Sequence, residues 1–103
     1  GVARELQMAL LESAGRFPAI DAVCQRLGTS PRTLRRKLKA EGTSYGAIVN
    51  ETRIGLAKRY LRETLMNVEE IASRVGYSDV SNFRRAFQRS TRVTPGAYRR
   101  ALP

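Results

Sequence analysis

A chain of 103 residues that sets 19 Lys and Arg against 9 Asp and Glu carries a formal charge of +10. Such a field draws polyanions, and the length leaves room for one compact domain or two very small ones. With no His and a single Cys, the chain lacks an imidazole base, a His-containing zinc site and an internal disulfide, so neither an enzyme nor a bound cofactor is expected.

No apolar run approaches the roughly 18 residues of a membrane span, and the N-terminus lacks a basic-then-apolar leader pattern, so a reduced cytoplasmic setting is expected. In chain order, Val2 to about Ala14 places Val2, Leu6, Ala9 and Leu10 on one face of a first helix, which Gly15 and Pro18 end. Ile20 to Leu27 reads as a short second helix, Gly28-Thr29 as a turn, and Ser30-Pro31 as a cap with Pro at the first helical position. The third helix then runs to about Ala40 and stops at Gly42. From Ser44 to about Thr64, a stripe of Tyr45, Ile48, Val49, Thr52, Leu56 and Tyr60 predicts a connecting helix of about 21 residues, ~30 Å long. Asn67 and Glu70 form a variant of the capping box that opens a helix through Val75. Ser78 or Asp79 caps the next helix, to about Arg89. Thr94-Pro95 opens a short terminal helix whose Tyr98 is expected to rest on the second unit.

The expected fold is therefore all-α, two helix-turn-helix units joined by a long central helix, with about seven helices in all. Residues 1–42 hold the first helix and first unit, 43–65 the connecting helix, and 66–103 the second unit and terminal helix.

An internal repeat carries this organisation. Ile20, Val23, Cys24, Leu27 and Gly28 recur 48 positions on as Val68, Ile71, Ala72, Val75 and Gly76, and Leu34 and Leu38 recur 49 positions on as Phe83 and Phe87. Each copy has a small residue where a second helix crosses, a Gly four residues later, and a new helix after it. Cys24 fills the place of Ala72 and reads as a small buried hydrophobe. The one-residue change of spacing makes the second turn, Gly76-Tyr77-Ser78-Asp79, the longer one.

The second helix of each copy turns its charge away from the core. At 100° per residue, Arg32, Arg35, Arg36 and Lys39 fall within a stripe about 100° wide, with Leu34 and Leu38 on the far side. Ser81, Arg84, Arg85 and Gln88 occupy the same stripe in the other copy, opposite Phe83 and Phe87. A cationic outer face on both copies points to double-stranded DNA. Arginine suits guanine in the major groove, so Arg32, Arg35, Arg36 and Arg85 are candidate base readers, with Asn82 suited to adenine and Ser81 to a base or a phosphate. Ser30, Thr33, Lys37, Lys39, Ser44, Ser78, Arg84 and Gln88 are placed as candidate phosphate contacts, which set register and give salt-sensitive affinity. A ~30 Å rod is close to one turn of B-DNA at ~34 Å, so recognition helices at about 31–40 and 79–89 would enter successive major grooves.

The stretches SPRTLRRKL at 30–38, EG at 41–42, R…A…YL at 53–61 and IASRVGYSDVSNFRRAFQRSTRVTPGAYRR at 71–100 resemble the DNA-binding domain of AraC/XylS-type transcription regulators. The resemblance covers about four-fifths of the chain. It implies promoter binding as a sequence-specific regulator, usually an activator acting through RNA polymerase. The first recognition helix would align on Arg32, Arg35 and Arg36, and the second would turn Val80, Ser81, Asn82 and Arg85 toward DNA. It also implies an N-terminal effector or dimerisation domain in the full-length protein. Arg92 stands where the family usually has Gly, which costs about 1 kcal/mol if the backbone there is left-handed. Ser90 and Cys24 replace a commonly aromatic residue and an Ala, changes expected to affect packing alone. The competing reading is a helix-turn-helix module that contacts RNA polymerase without reading DNA, but that role does not require a basic outer face on both copies. RNA binding is disfavoured by the lack of an exposed aromatic platform.

Overall fold

The computed structural model describes residues 1–13 and 17–103, and the predicted end of the first helix at Ala14 and Gly15 lies outside them. Among the described residues there are seven helices and no strand: α1 (Val2–Glu12), α2 (Ile20–Leu27), α3 (Pro31–Ala40), α4 (Tyr45–Glu63), α5 (Val68–Arg74), α6 (Val80–Thr91) and α7 (Pro95–Arg100). They form two compact units, Gly1–Thr52 and Arg53–Pro103, whose boundary falls inside α4. Among the described residues no helix is long and apolar enough to cross a membrane.

The first unit is built from the predicted faces. Leu6, Ala9 and Leu10 of α1 meet Val23 and Cys24 of α2, Leu34 and Leu38 of α3, and Ile48 of α4, while Val2 is half-buried at the edge. The turn between α2 and α3 depends on a left-handed Gly28 (φ 67°), which lets the Thr29 N–H reach the Cys24 carbonyl at 3.0 Å. Ser30 Oγ then caps α3, accepting from the Thr33 N–H at 3.2 Å, with Pro31 at the first helical position. The N-terminus of α1 borrows its cap from far along the chain. Glu41, just past α3, accepts from the Val2 N–H at 2.8 Å and the Ala3 N–H at 3.1 Å. Those bonds, that from Ala3 foremost, hold the Glu41 carboxyl below the usual carboxylate range against the opposing effect of desolvation.

The second unit repeats the scheme with larger side chains. Ile71, Ala72 and Val75 pack with Phe83, Ala86 and Phe87 of α6 and with Ile54, Ala57 and Leu61 of α4. Phe83 and Phe87 are fully buried, each contributing about 1.5–3 kcal/mol of hydrophobic stabilisation. Tyr77, Phe83, Phe87 and Tyr98 form a chain of tilted and edge-on rings at centroid distances of 5.5, 5.8 and 5.6 Å, so Tyr98 does rest on this unit. The Tyr77 N–H bonds the Ala72 carbonyl at 2.9 Å, the closure that Thr29 and Cys24 make 48 residues earlier. Asn67 caps α5 by accepting from the Glu70 N–H at 2.8 Å. Of the two predicted caps for α6, Asp79 serves, accepting from the Ser81 N–H at 2.8 Å, and Ser78 stands outside the helix. Thr94 caps α7 from the Ala97 N–H at 3.1 Å, and Pro95 is buried.

The stripe predicted along α4 needs correction. Ile48, with Tyr45 and Val49 beside it, serves the first core, but beyond Thr52 the buried positions are Ile54, Ala57 and Leu61, whereas Leu56 and Tyr60 are half-buried. One helix contributes to two cores, so no single stripe of helical period describes it. Its ends lie one residue inside the predicted ones: Ser44 Oγ accepts from the Ala47 N–H at 3.1 Å, and Thr64 Oγ1 donates to the Tyr60 carbonyl at 2.6 Å.

Candidate nucleic-acid interface

In each unit the second helix presents the face opposite its core. Arg32, Arg35, Arg36 and Lys39 of α3 are exposed, while Leu34 and Leu38 are buried. Ser81, Asn82, Arg84, Arg85 and Gln88 of α6 are exposed, while Phe83 and Phe87 are buried. Ser30, Lys37, Ser44 and Ser78 are also exposed, and Thr33 is half-buried. All the predicted contact residues therefore reach solvent, in both units.

The two faces differ in how their cations are held. Among the described residues, Arg32, Arg35, Arg36 and Lys39 enter no ion pair. In the second unit Arg84 Nη2 meets Glu69 Oε1 of α5 at 3.2 Å, and Arg85 Nη2 donates to Asn82 Oδ1. The repeat places Asp21 where the second unit has Glu69, and Arg35 where it has Arg84. Asp21 is shorter by one methylene. Both Asp21 and Arg35 act on the Cys24 thiol, which is pushed up mainly by burial, further by Asp21, with Arg35 opposing. Cys24 is thus a buried, protonated thiol, in keeping with a packing role.

Three phosphate candidates of the first unit stand apart from its basic stripe, to which Lys39 belongs. Ser30, Thr33 and Lys37 line one hollow beside the α2–α3 turn, together with Glu5 of α1. Ser30 Oγ also donates to Thr33 Oγ1 at 3.1 Å, so these two hydroxyls are engaged with each other as well as with the helix start. Ser44 is likewise engaged as a cap. On α6, Arg85 and Gln88 share a shallow hollow with Arg89, an exposed cation that the sequence reading did not single out. Its signal was its place four residues after Arg85, on the same helical face. Two further residues escaped notice. Glu69, beside the Asn67 and Glu70 of the predicted helix start, is the acceptor for Arg84. Arg99 binds three carbonyls around the end of α4, those of Leu61, Thr64 and Met66, at 3.2, 3.1 and 2.7 Å.

Comparison with known proteins gives the arrangement its context. A helix-turn-helix domain family model matches residues 23–101. The ornithine utilization regulator of Pseudomonas aeruginosa is 40% identical over 101 residues, which is 98% of this chain and 30% of that protein. Among solved structures, the transcriptional regulator CdpR from Pseudomonas aeruginosa superposes with a TM-score of 0.90 at 38% identity, covering 98% of this chain and 32% of that one. The DNA-binding domain of AdpA, a global transcriptional factor solved in complex with a target DNA, gives a TM-score of 0.83 at 26% identity, over 96% of this chain and 90% of that one. The chain thus spans about 30% of the ornithine utilization regulator and 32% of CdpR.

Proposed function

The chain belongs to the AraC/XylS-type helix-turn-helix transcription regulators, and from that premise we propose that it reads specific double-stranded promoter DNA by inserting α3 and α6 into successive major grooves. The observation that carries the proposal is the matched pair of second helices, each with an apolar face in its own core and a cationic face in solvent. Arg32, Arg35, Arg36 and Arg85 act as base readers through the guanidinium fork. Lys37, Lys39, Arg84, Gln88 and the hydroxyls of Ser30, Thr33, Ser44 and Ser78 serve the phosphates, and Ser81 contributes on α6. Activation through RNA polymerase, in the cytoplasm, completes the reading. So does an effector or dimerisation domain in the full-length protein, which the greater length of the relatives supports.

The first unit supplies the larger share of affinity. Its stripe cations have no carboxylate partners among the described residues, whereas Arg84 must be released from Glu69 before it reaches a phosphate. The test is selection of bound duplexes from a random pool, followed by anisotropy titration of the winners at several salt concentrations. Two short informative blocks about one helical turn apart are expected. Arg35→Ala and Arg36→Ala should each weaken specific binding more than Ser81→Ala, and equal losses would refute the asymmetry. Loss of all sequence preference, with affinity that simply vanishes in salt, would reduce the domain to an electrostatic binder. Retained DNA binding after charge reversal at Arg35 and Arg36 would favour a module that contacts polymerase alone.

A further inference from the structure

Asn82 and Arg85 stand one turn apart on the exposed face of α6, and the Arg85 Nη2 donates to Asn82 Oδ1. The bond sets which end of the amide faces the arginine. A guanidinium offers only donors, so Asn82 turns its oxygen toward Arg85 and its NH2 away. Bidentate reading of adenine uses both amide groups along one base edge, the oxygen accepting from N6 and the nitrogen donating to N7. The amide oxygen can accept twice, but its bond to Arg85 ties the Asn82 side chain along the helix to its neighbour instead of leaving it free to align with a base. Arg85, by contrast, gains from it, because a long, freely rotating side chain is restrained before DNA arrives and its remaining N–H groups still form a fork.

The equivalent place in the first unit is built differently. The 49-residue repeat maps Asn82 and Arg85 onto Thr33 and Arg36, and the Thr33 hydroxyl is occupied by Ser30 at 3.1 Å. The amide brace is thus a feature of α6, where the arginine face is sparser.

We propose that Asn82 is a positioning residue that presets the Arg85 guanidinium for guanine, and that it does not itself read adenine. This rests on the reading of Arg85 as a base contact. The experiment is duplex selection with the whole chain carrying Arg85→Ala, Asn82→Ala or Asn82→Asp, each checked for an unchanged helical spectrum. Arg85→Ala should abolish preference for guanine at one base pair of the second block. Asn82→Ala should relax preference at that same pair by about 3- to 10-fold, a part of what one bidentate arginine contact supplies. Asn82→Asp, whose carboxylate accepts the same bond, should restore the guanine preference even as phosphate repulsion lowers overall affinity. The inference is overturned if Asn82→Ala erases an adenine preference at a neighbouring pair while guanine stays selected, or if it changes no preference at all. If Arg85→Ala leaves every preference in place, the base-contact reading of Arg85 fails and the inference falls with it.

Discussion

Arg92 is the one non-glycine residue with positive φ among those described, at φ 70° and ψ 7°, and it ends α6 in the left-handed conformation. Its N–H still donates to the Gln88 carbonyl at 2.8 Å, so the backbone is held in place by the helix it terminates. A β-carbon in that region costs about 1–2 kcal/mol. Glycine removes this cost but adds freedom to the unfolded chain worth about 0.5–1 kcal/mol. It also discards a cation near a helix C-terminus, worth about 0.3–1 kcal/mol at an exposed site. The informative comparison is therefore Arg92→Gly against Arg92→Ala, since both lose the charge and only the glycine relieves the backbone. We expect the glycine variant to be the more stable of the two by about 1 kcal/mol, which is about 4–8 °C in Tm for a domain of this size. Urea titrations followed by circular dichroism, with unchanged m-values, would measure it. Equal stability of the two variants, or a more stable alanine, would refute the claim that a strained residue links α6 to α7.

Three further outcomes are expected. Asp79→Ala should cost about 1 kcal/mol through loss of the α6 cap, whereas Ser78→Ala, outside the helix, should stay within about 0.5 kcal/mol in the same titration. Arg99→Lys keeps the charge but not the fork that meets three carbonyls, and should destabilise by about 1–2 kcal/mol, seen as faster amide exchange around Thr64 and Met66. Because its folded pKa is depressed, Glu41 contributes stability above the ordinary glutamate pKa of about 4.3, and this is lost as pH falls through the lower folded value. Protection of the Val2 and Ala3 amides, taken relative to the intrinsic exchange rate at each pH, should therefore fall on acidification, and Glu41→Gln should flatten that response; an identical acid profile in the variant would refute the assignment.

Much of this architecture was legible before any coordinates, because the forces that write it are local. Ser30, Asn67 and Thr94 cap the helices they precede, and Gly28 closes its turn, through bonds spanning a few residues. The apolar spacing of Leu34 and Leu38, repeated in Phe83 and Phe87, assigns the buried face of each second helix and so the exposed cations opposite. Composition and period alone thus determined the helical units and the candidate site on each. Tertiary structure decided what those side chains touch. Glu41 reaches the start of α1 across 39 residues, Glu69 meets Arg84 across 15, and Arg99 finds its carbonyls more than 30 residues away. The change of buried register along α4 belongs to the same class, for it follows from two cores sharing one helix. Helical period says which way a side chain points from its own axis, but a hydrogen bond or ion pair acts over a few ångströms, and only the packing of separate helices brings such partners within that reach.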